Sequence, residues 1–279
     1  MEDTIITTYY LCEEFLEAIG HRDDPQVRLS TAEVMTTSVV ACAFFCGNIE
    51  ASRSFLDEYG YILKAISKSR FNRRLHAIDP SLWKTLFDVL AEVFKHNNAT
   101  ESYVVDSLPA AVCDNIRIRR CKLYPPEQHG QAFRGYMVSK RRYFYGLRVH
   151  LVVSGRGEPV EFSLAGASEA DISLFKEMSL DLPEGSIIHA DKGYTDYLYE
   201  DLLEEVGLHL KAQRKKRSKR PMAAWEEFLS KPTRQYIETV FTVFSNLSAM
   251  FARKIHAVTP RGFELKIVCF LLAYSIQCL

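Results

Sequence analysis

The hydrophobic spacing of this chain changes once, near residue 100, from a helical repeat to short strand-like runs. Before this point, residues 30–33 form a capping box, and the apolar residues that follow Asp79-Pro80 recur at helical intervals. After it, runs rich in β-branched and aromatic residues alternate with helical segments. The sequence therefore predicts an all-helical region over residues 1–100 and an α/β region over residues 101–279.

The order of the elements in the second region predicts the arrangement of its sheet. Strands that include a β-hairpin come first, and helices and strands then alternate. This order is typical of a mixed β-sheet with helices packed against it. The predicted strands are 103–106, 143–154, 160–164, 186–190 and 208–212, and the predicted helices are 170–178, 194–206 and 233–251.

Basic residues are concentrated in particular segments, although the formal net charge of the chain is +0. Residues 106–148 contain nine Lys or Arg and three Asp or Glu, and six of the seven residues 214–220 are basic. Such segments are either solvated loops or surfaces that contact phosphates. In the helical region, Arg70, Arg73 and Arg74 fall on one side of a short helix after a turn, as in a helix-turn-helix.

Composition argues against two classes of protein. The seven cysteines include no Cys-x2-Cys pair, which argues against a zinc site. The N-terminus does not read as a signal peptide, and the most apolar stretch, residues 267–274, is shorter than the ~20 residues that cross a bilayer. We therefore expect no membrane association, no small-molecule cofactor and a cytoplasmic location, with residues 267–274 in a buried helix or strand.

Two aspartates, Asp106 and Asp191, lie at the ends of two predicted strands. If these strands are neighbours, the two carboxylates lie side by side at one edge of the sheet, where ligand sites gather in open α/β sheets. Close carboxylates repel each other unless a cation is present, and oxygen ligands without His or Cys suit Mg²⁺ or Mn²⁺. The alternative is that each aspartate caps the turn that follows it.

A glutamate in the last predicted helix completes a possible metal-binding set. Glu238 lies beside the apolar stripe of helix 233–251, where an unpaired carboxylate would cost stability. Either a metal ion or Arg234, four residues earlier on the same helix, is a suitable partner. The three acidic residues together, in this order and on these elements, favour the metal site over separate structural roles.

Three motifs resemble those of the DDE-type transposases of bacterial insertion sequences. They are Val104-Val105-Asp106-Ser107, Ala190-Asp191-Lys192-Gly193-Tyr194 and Arg234-Gln235-Tyr236-Ile237-Glu238. Residues 69–75 also resemble the N-terminal domain of one such group, so that the resemblance covers nearly the whole chain. An aspartate followed by x-Gly-Tyr at a strand end is a specific signal, and the Arg-x3-Glu spacing is moderately specific.

The resemblance implies a fold, a reaction and partners. It implies an RNase H-like mixed β-sheet with flanking helices over residues 101–279, with a basic insertion at about 213–232, preceded by an all-α, helix-turn-helix-like DNA-binding domain over residues 1–100. Asp106, Asp191 and Glu238 would bind two Mg²⁺ or Mn²⁺ ions and catalyse strand cleavage and strand transfer. The partners implied are terminal inverted repeats, target DNA and a second copy of the chain on DNA, in a bacterial cytoplasm.

The chain also departs from many of these relatives. A tyrosine three residues before the arginine and a lysine seven after the glutamate are replaced here by Lys231 and Ser245. Lys192 and Arg234 are possible substitutes for the missing basic contact near the active site. The residues predicted to contact DNA are Arg70, Arg73, Arg74, Arg141, Arg142, Lys192, Arg214, Lys215, Lys216, Arg217 and Arg234.

Two other functions are compatible with the same residues. A nuclease or Holliday-junction-type resolvase on the same fold would carry the same three acidic residues, but would not join strands. A catalytically silent DNA-binding protein that descends from such an enzyme would retain the basic segments. The replaced residues at positions 231 and 245 are compatible with this alternative.

Overall fold

A computed structural model gives the structure of the chain and describes residues 1–62, 66–137, 141–214, 218–221 and 255–279. The chain divides into two compact units. The helical unit comprises Met1–Leu90 and Arg253–Leu279, and the sheet unit comprises Ala91–Ala252.

The first part of the chain folds into helices, as its spacing predicts. These are α1 (Glu2–Ala18), α2 (Thr31–Phe44), α3 (Ile49–Glu58), α4 (Lys68–Ala77) and α5 (Pro80–His96). The capping box starts α2: the Glu33 N–H donates to Ser30 Oγ at 3.1 Å, and the Ser30 N–H donates to Glu33 Oε2 at 2.6 Å. Because α2 packs against α1, α3 and the last helix of the chain, it is buried on nearly all sides.

The C-terminal helix, α9 (Pro260–Cys278), packs within the helical unit against α1 and α2, whereas its position in the sequence suggested the α/β region. Residues 267–274 form part of this helix, and Ile267, Phe270 and Leu271 are buried. A Cβ at Gly47 would lie 3.2 Å from the ring of Phe270, so a glycine with positive φ allows this close approach. Apolar spacing identifies the helix, but the surface against which it packs depends on the tertiary structure.

None of the described helices is by itself long and apolar enough to cross a membrane. The helices α2 and α3 together have the length and composition of one span, but they are bent by 110° relative to each other.

A mixed sheet with flanking helices forms the core of the sheet unit, in agreement with the RNase H-like fold that the motifs imply. Its described strands are β1 (Ser102–Asp114), β2 (Arg134–Met137), β3 (Arg142–Ser154), β4 (Pro159–Gly166), β5 (Ile187–Ala190) and β6 (His209–Ala212). They are ordered β2-β3-β1-β5-β6, and β4 pairs with β3. β3 runs antiparallel to β1, β2 and β4, whereas β1, β5 and β6 are parallel. The connecting helices are α7 (Asp171–Glu177) and α8 (Tyr197–Glu205).

The first strand is longer than the sequence predicts. A strand ending at Asp106, before Ser-Leu-Pro, was expected, but β1 continues through Pro109 to Asp114. Among the described strands, β5 pairs with β1 only at Ser102–Val105, so the rest of β1 has a partner on one side only, in β3. Because an edge strand tolerates a proline, Pro109 does not end it. Asp106 therefore lies within β1, immediately beyond the part that pairs with β5.

The segment between β1 and β3 contains short elements that the sequence analysis did not predict. They are 3-10 helices at Asn115–Arg120 and Gly130–Phe133, the short helix α6 (Pro126–His129) and strand β2. The sequence of β2, Arg-Gly-Tyr-Met, contains a glycine and no β-branched residue, so it carries no strand signal. β2 is held by pairing with β3 and by a cluster of Met137, Phe144 and Ala167. The predicted helix 233–251 lies outside the described residues.

Candidate active site

The register of β1 and β5 brings Asp106 and Asp191 to neighbouring positions. The parallel ladder pairs Val105 with Ala190, and each of these residues is followed directly by an aspartate. The expectation that the two strands are neighbours is therefore met. The two carboxylates lie where β5 ends, and the charge of Asp191 raises the pKa of Asp106.

Asp106 occupies a setting that disfavours its charged form. Its side chain is partly buried, and burial raises the pKa of its carboxyl to about 7. The negative charges of Asp191 and Asp171 act in the same direction, whereas a 2.7 Å hydrogen bond from the Ser107 N–H and the charge of Arg148 lower the pKa. A carboxylate held in this way is stabilised by a bound cation.

Asp191 is held in place by the turn that follows it. The chain forms a 3-10 turn at Lys192–Tyr194 before α8 begins at Tyr197, three residues later than the sequence predicts. Asp191 Oδ1 accepts a 2.6 Å hydrogen bond from the Gly193 N–H. The capping role considered as an alternative is therefore real for Asp191, and it positions the carboxylate rather than excluding a second role.

A third aspartate, Asp171 at the start of α7, lies beside this pair and was not identified from the sequence. Its Oδ1 accepts a 2.9 Å ion-pair hydrogen bond from Arg148 Nη1 on β3. A Cβ built on Gly193 would lie 2.8 Å from Asp191 Oδ1 and 3.1 Å from Asp171 Oδ2, so both carboxylates approach the same Gly193 Cα. Asp171 has no motif around it, and only the packing of α7 against β3 and the 3-10 turn reveals it.

Tyr194 and His150 form a buried aromatic pair next to Asp171. The Tyr194 hydroxyl is 3.3 Å from His150 Nδ1, and His150 Nε2 is 3.7 Å from Asp171 Oδ1. Burial lowers the pKa of His150 to about 4, so the ring is neutral near pH 7, and burial also raises the pKa of Tyr194 well above its usual value. The tyrosine of the Asp-x-Gly-Tyr motif is thus a fully buried support for the turn that carries Asp191.

Several predicted site residues lie outside the residues that the structure describes. They are Glu238, Arg234, Lys215, Lys216 and Arg217. Lys231 and Ser245, at which the chain differs from many transposases of this type, also lie outside them. Their predicted roles stay predictions.

The described residues with predicted DNA contacts fall into two groups. Exposed side chains belong to Arg70, Arg73, Arg141, Arg142 and Lys192. Arg74 and Arg214 are less exposed, and their side chains form ion pairs within the protein. Arg74 donates to Asp23 Oδ1 at 2.8 Å, and Arg214 forms two 2.6 Å hydrogen bonds with Glu200. Arg74 and Arg214 are therefore less suited to phosphate contact than the sequence suggested.

The oxygen ligands of the pair fit a hard divalent cation. Asp106 and Asp191 supply carboxylate oxygens at neighbouring strand positions, and Asp106 is poorly stabilised in its charged form by its protein neighbours. Among the described residues, no group of three or more His, Cys, Asp or Glu side chains has an arrangement suited to a metal ion. The predicted third ligand, Glu238, is not among those residues.

The raised pKa of Asp106 predicts a pH dependence of stability in the metal-free protein. Because the folded pKa of about 7 exceeds the unfolded value, the contribution of Asp106 to stability is complete below pH ~4 and is lost as the pH rises through 7. The free energy of unfolding should therefore fall by roughly 2–3 kcal/mol between pH 5 and pH 8 through this residue.

Denaturant unfolding with a chelator present, at pH 5 and at pH 8, measures this effect. Asp106→Asn should remove it, whereas Asp57→Asn, at an exposed position of α3, should leave the difference between the two pH values as in the wild type. An unaltered pH dependence in Asp106→Asn would contradict the prediction.

Comparison with known proteins connects this site to a family. The family model described as "Transposase DDE domain" matches residues 96–256, more than half of the chain. A comparison with curated proteins found no match. A solved structure described as a cryo-EM structure of the piggyBac transposase synaptic complex with hairpin DNA is similar at 12% identity and a TM-score of 0.44, covering 99% of this chain and 72% of that one. The chain belongs to the family of transposases with a DDE domain.

Proposed function

We propose that this transposase uses Asp106, Asp191 and Glu238 to bind Mg²⁺ or Mn²⁺ and to catalyse DNA strand cleavage and strand transfer at the ends of an insertion sequence. The observation that supports this most directly is the placement of Asp106 and Asp191 at neighbouring positions of two parallel strands. The negative charges near Asp106 also support the proposal, because a bound cation would stabilise its charged form.

The chemistry proposed is an in-line displacement at phosphorus. Bound Mg²⁺ would neutralise the phosphate and stabilise the charge that develops on the attacking and leaving oxygens. Water attacks first, the bond between phosphorus and the 3′-oxygen of the donor strand breaks, and that oxygen leaves as a 3′-hydroxyl. This 3′-hydroxyl then attacks a phosphate of the target DNA, and the 3′-oxygen of the target strand is the leaving group. Catalysis depends on positioning and on neutralisation of charge, so the protein needs no nucleophile of its own.

The residues around the carboxylates hold the site in a defined geometry. The Gly193 N–H orients Asp191, and the buried side chain of Tyr194 anchors the turn that follows Asp191. Arg148, which forms an ion pair with Asp171, adds positive charge that offsets part of the repulsion on Asp106. Lys192 is exposed beside Asp191 and would contact a DNA phosphate.

DNA binding is proposed at exposed basic positions of both units. Arg70 and Arg73 lie on the exposed side of α4, which suits a helix that enters the major groove. Arg141 and Arg142 lie at the start of β3. Lys215, Lys216, Arg217 and Arg234 complete the proposed set. In this proposal two copies of the chain hold the two ends of the element. They act on DNA in a bacterial cytoplasm.

Removal of the divalent metal should abolish cleavage without abolishing DNA binding. We expect nicking of a supercoiled plasmid that carries the element ends in the presence of Mg²⁺ or Mn²⁺, and none with EDTA. Electrophoretic mobility shifts with EDTA should still show the protein–DNA complex, because phosphate contacts by arginines and lysines need no metal. Cleavage that persists with EDTA would refute the metal-dependent mechanism.

A strand-transfer assay separates a transposase reaction from that of a nuclease on the same fold. Pre-cut element ends with free 3′-hydroxyls are mixed with target plasmid and Mg²⁺, and joined products are separated by electrophoresis. Joined products that require both the 3′-hydroxyl and Mg²⁺ are expected. Nicked target with no joined product would favour the nuclease, and absence of both reactions on every substrate would favour the silent DNA-binding protein.

A further inference from the structure

Beyond the position of Asp106 and Asp191, β1 and β3 continue as a ribbon. The proposed active site does not explain the function of this ribbon. From Asp106 to Asp114, β1 extends about 30 Å beyond the end of β5, at ~3.4 Å per residue, together with β3. At the far end β3 also pairs with β2, so that Phe144 lies between the end of β1 and Gly135 of β2. We call the paired segments Arg134–Met137 and 142–145 the distal hairpin.

One side of the distal hairpin is packed, and the other carries exposed aromatic rings. Met137 and Phe144 are buried together with Ala167. Tyr136 and Tyr143, which are partners across the two strands, are 42% and 52% exposed. Two large aromatic side chains exposed side by side form a patch that can serve as a binding surface.

The two tyrosines form a preassembled surface. Their ring centroids are 4.8 Å apart with an angle of 58° between the planes. The guanidinium of Arg134 lies 5.1 Å from the centre of the Tyr143 ring, which adds a positive charge to the same surface. An arrangement of exposed rings with an adjacent guanidinium is typical of surfaces that stack unpaired bases.

The surroundings of the distal hairpin are strongly basic. The 3-10 helix Asn115–Arg120 follows β1 directly and contacts β3. Arg117, Arg119 and Arg120 are exposed on it, and within the described residues none of the three forms an ion pair. From residue 115 to residue 143 the sequence contains eight Lys or Arg and a single acidic residue, Glu127. This positive charge suits the binding of a polyanion such as DNA. It does not suit the binding of a protein surface that has few acidic residues.

We propose that the distal hairpin binds unpaired bases of the DNA substrate by stacking on Tyr143 and Tyr136, while Arg117, Arg119 and Arg120 contact the adjacent phosphates. The bases of a continuous duplex are stacked on one another and do not present their faces to a side chain, so the surface distinguishes unpaired from paired DNA. This inference rests on the proposed DNA-processing function, but the hairpin is separate from the carboxylates and acts in binding only.

The test compares two oligonucleotides that differ only in their bases. A fluorescent 16-nucleotide single strand and the same strand with four central abasic sites carry the same phosphates. Fluorescence anisotropy with the full chain in EDTA should show tighter binding of the intact strand. Tyr143→Ala should weaken binding of the intact strand about tenfold and change binding of the abasic strand less than twofold.

Matched variants separate stacking from folding and from charge. Tyr143→Phe keeps the ring and should bind as the wild type does, as should Tyr10→Ala, which removes a 59% exposed tyrosine from α1. Tyr136→Ala provides a second test of the surface if Tyr143→Ala does not fold. Arg119→Gln should weaken binding of both strands equally and lower the salt dependence by about one ion.

Equal weakening of both strands by Tyr143→Ala, or a wild type that does not prefer the intact strand, would overturn the proposal. The assay contains no metal and reads no cleavage. A protein that fails the cleavage assay could therefore still show stacking, and a protein that cleaves could lack it, so the two proposals fail separately.

Discussion

Asp106→Asn should reduce Mg²⁺-dependent nicking by about a thousandfold or more, while binding to the element ends stays within about twofold of the wild type. The substitution keeps the shape of the side chain and one oxygen, but it removes the negative charge that a divalent cation requires. Burial and the charges of Asp191 and Asp171 already oppose the ionised form of Asp106, so a bound cation is expected to contribute much of its stabilisation.

Parallel measurements of nicking rate and of DNA affinity test this prediction. Asp57→Asn, at an exposed position of α3, is the matched control and should nick normally. The metal-free Asp106→Asn protein should also be at least as stable as the wild type at pH 8, which shows that lost activity is not lost folding. Retained cleavage in Asp106→Asn would remove this residue from the active site.

Gly193→Ala should lower the nicking rate about a hundredfold with little change in stability. The added Cβ would lie 2.8 Å from Asp191 Oδ1 and 3.1 Å from Asp171 Oδ2, both closer than ordinary contacts. The backbone at Gly193 is not among the positive-φ positions, so alanine fits the conformation of the main chain. The carboxylates must therefore move, and a displacement of about 1 Å at a reacting centre is costly to catalysis.

Nicking rates and thermal unfolding of the same preparations separate the two effects. Lys192→Ala, at the preceding exposed position, is the control for a change in the same turn. It should weaken DNA contact modestly and leave the geometry of Asp191 intact. A Gly193→Ala protein with normal activity would mean that the turn accommodates a methyl group without moving either carboxylate.

The sequence was informative about Asp106 and Asp191 because both depend on local signals. Each follows a short apolar run that forms a strand, and residues 190–194 combine a strand end with a turn. Part of the Asp-x-Gly-Tyr pattern has a local reason: Asp191 accepts from the Gly193 N–H, and Gly193 leaves room for the Asp191 carboxylate. The burial of Tyr194 depends on the packing of other elements.

Asp171 and the aromatic pair could not be predicted in the same way. Asp171 lies at the start of a seven-residue helix, and nothing in its neighbours distinguishes it from an ordinary surface aspartate. Its ion pair with Arg148 joins residues that are distant in sequence, and the contact between Tyr194 and His150 does the same. Contacts of this kind carry no periodic or local signature and appear only when the elements have packed.

The main elements and their order could be predicted from the sequence alone: a helical first part, a mixed sheet with flanking helices, and the two carboxylates that follow β-rich runs. These features depend on spacing, capping and turn chemistry, which act between near neighbours in the chain. Three features became visible only in the folded chain: β1 continues through Pro109 past the end of β5, α9 packs with the first helices, and β2 and β3 carry an exposed pair of tyrosines. Each of these depends on which surfaces meet, because pairing with β3 or burial against α2 is energetically favourable only when distant segments come together.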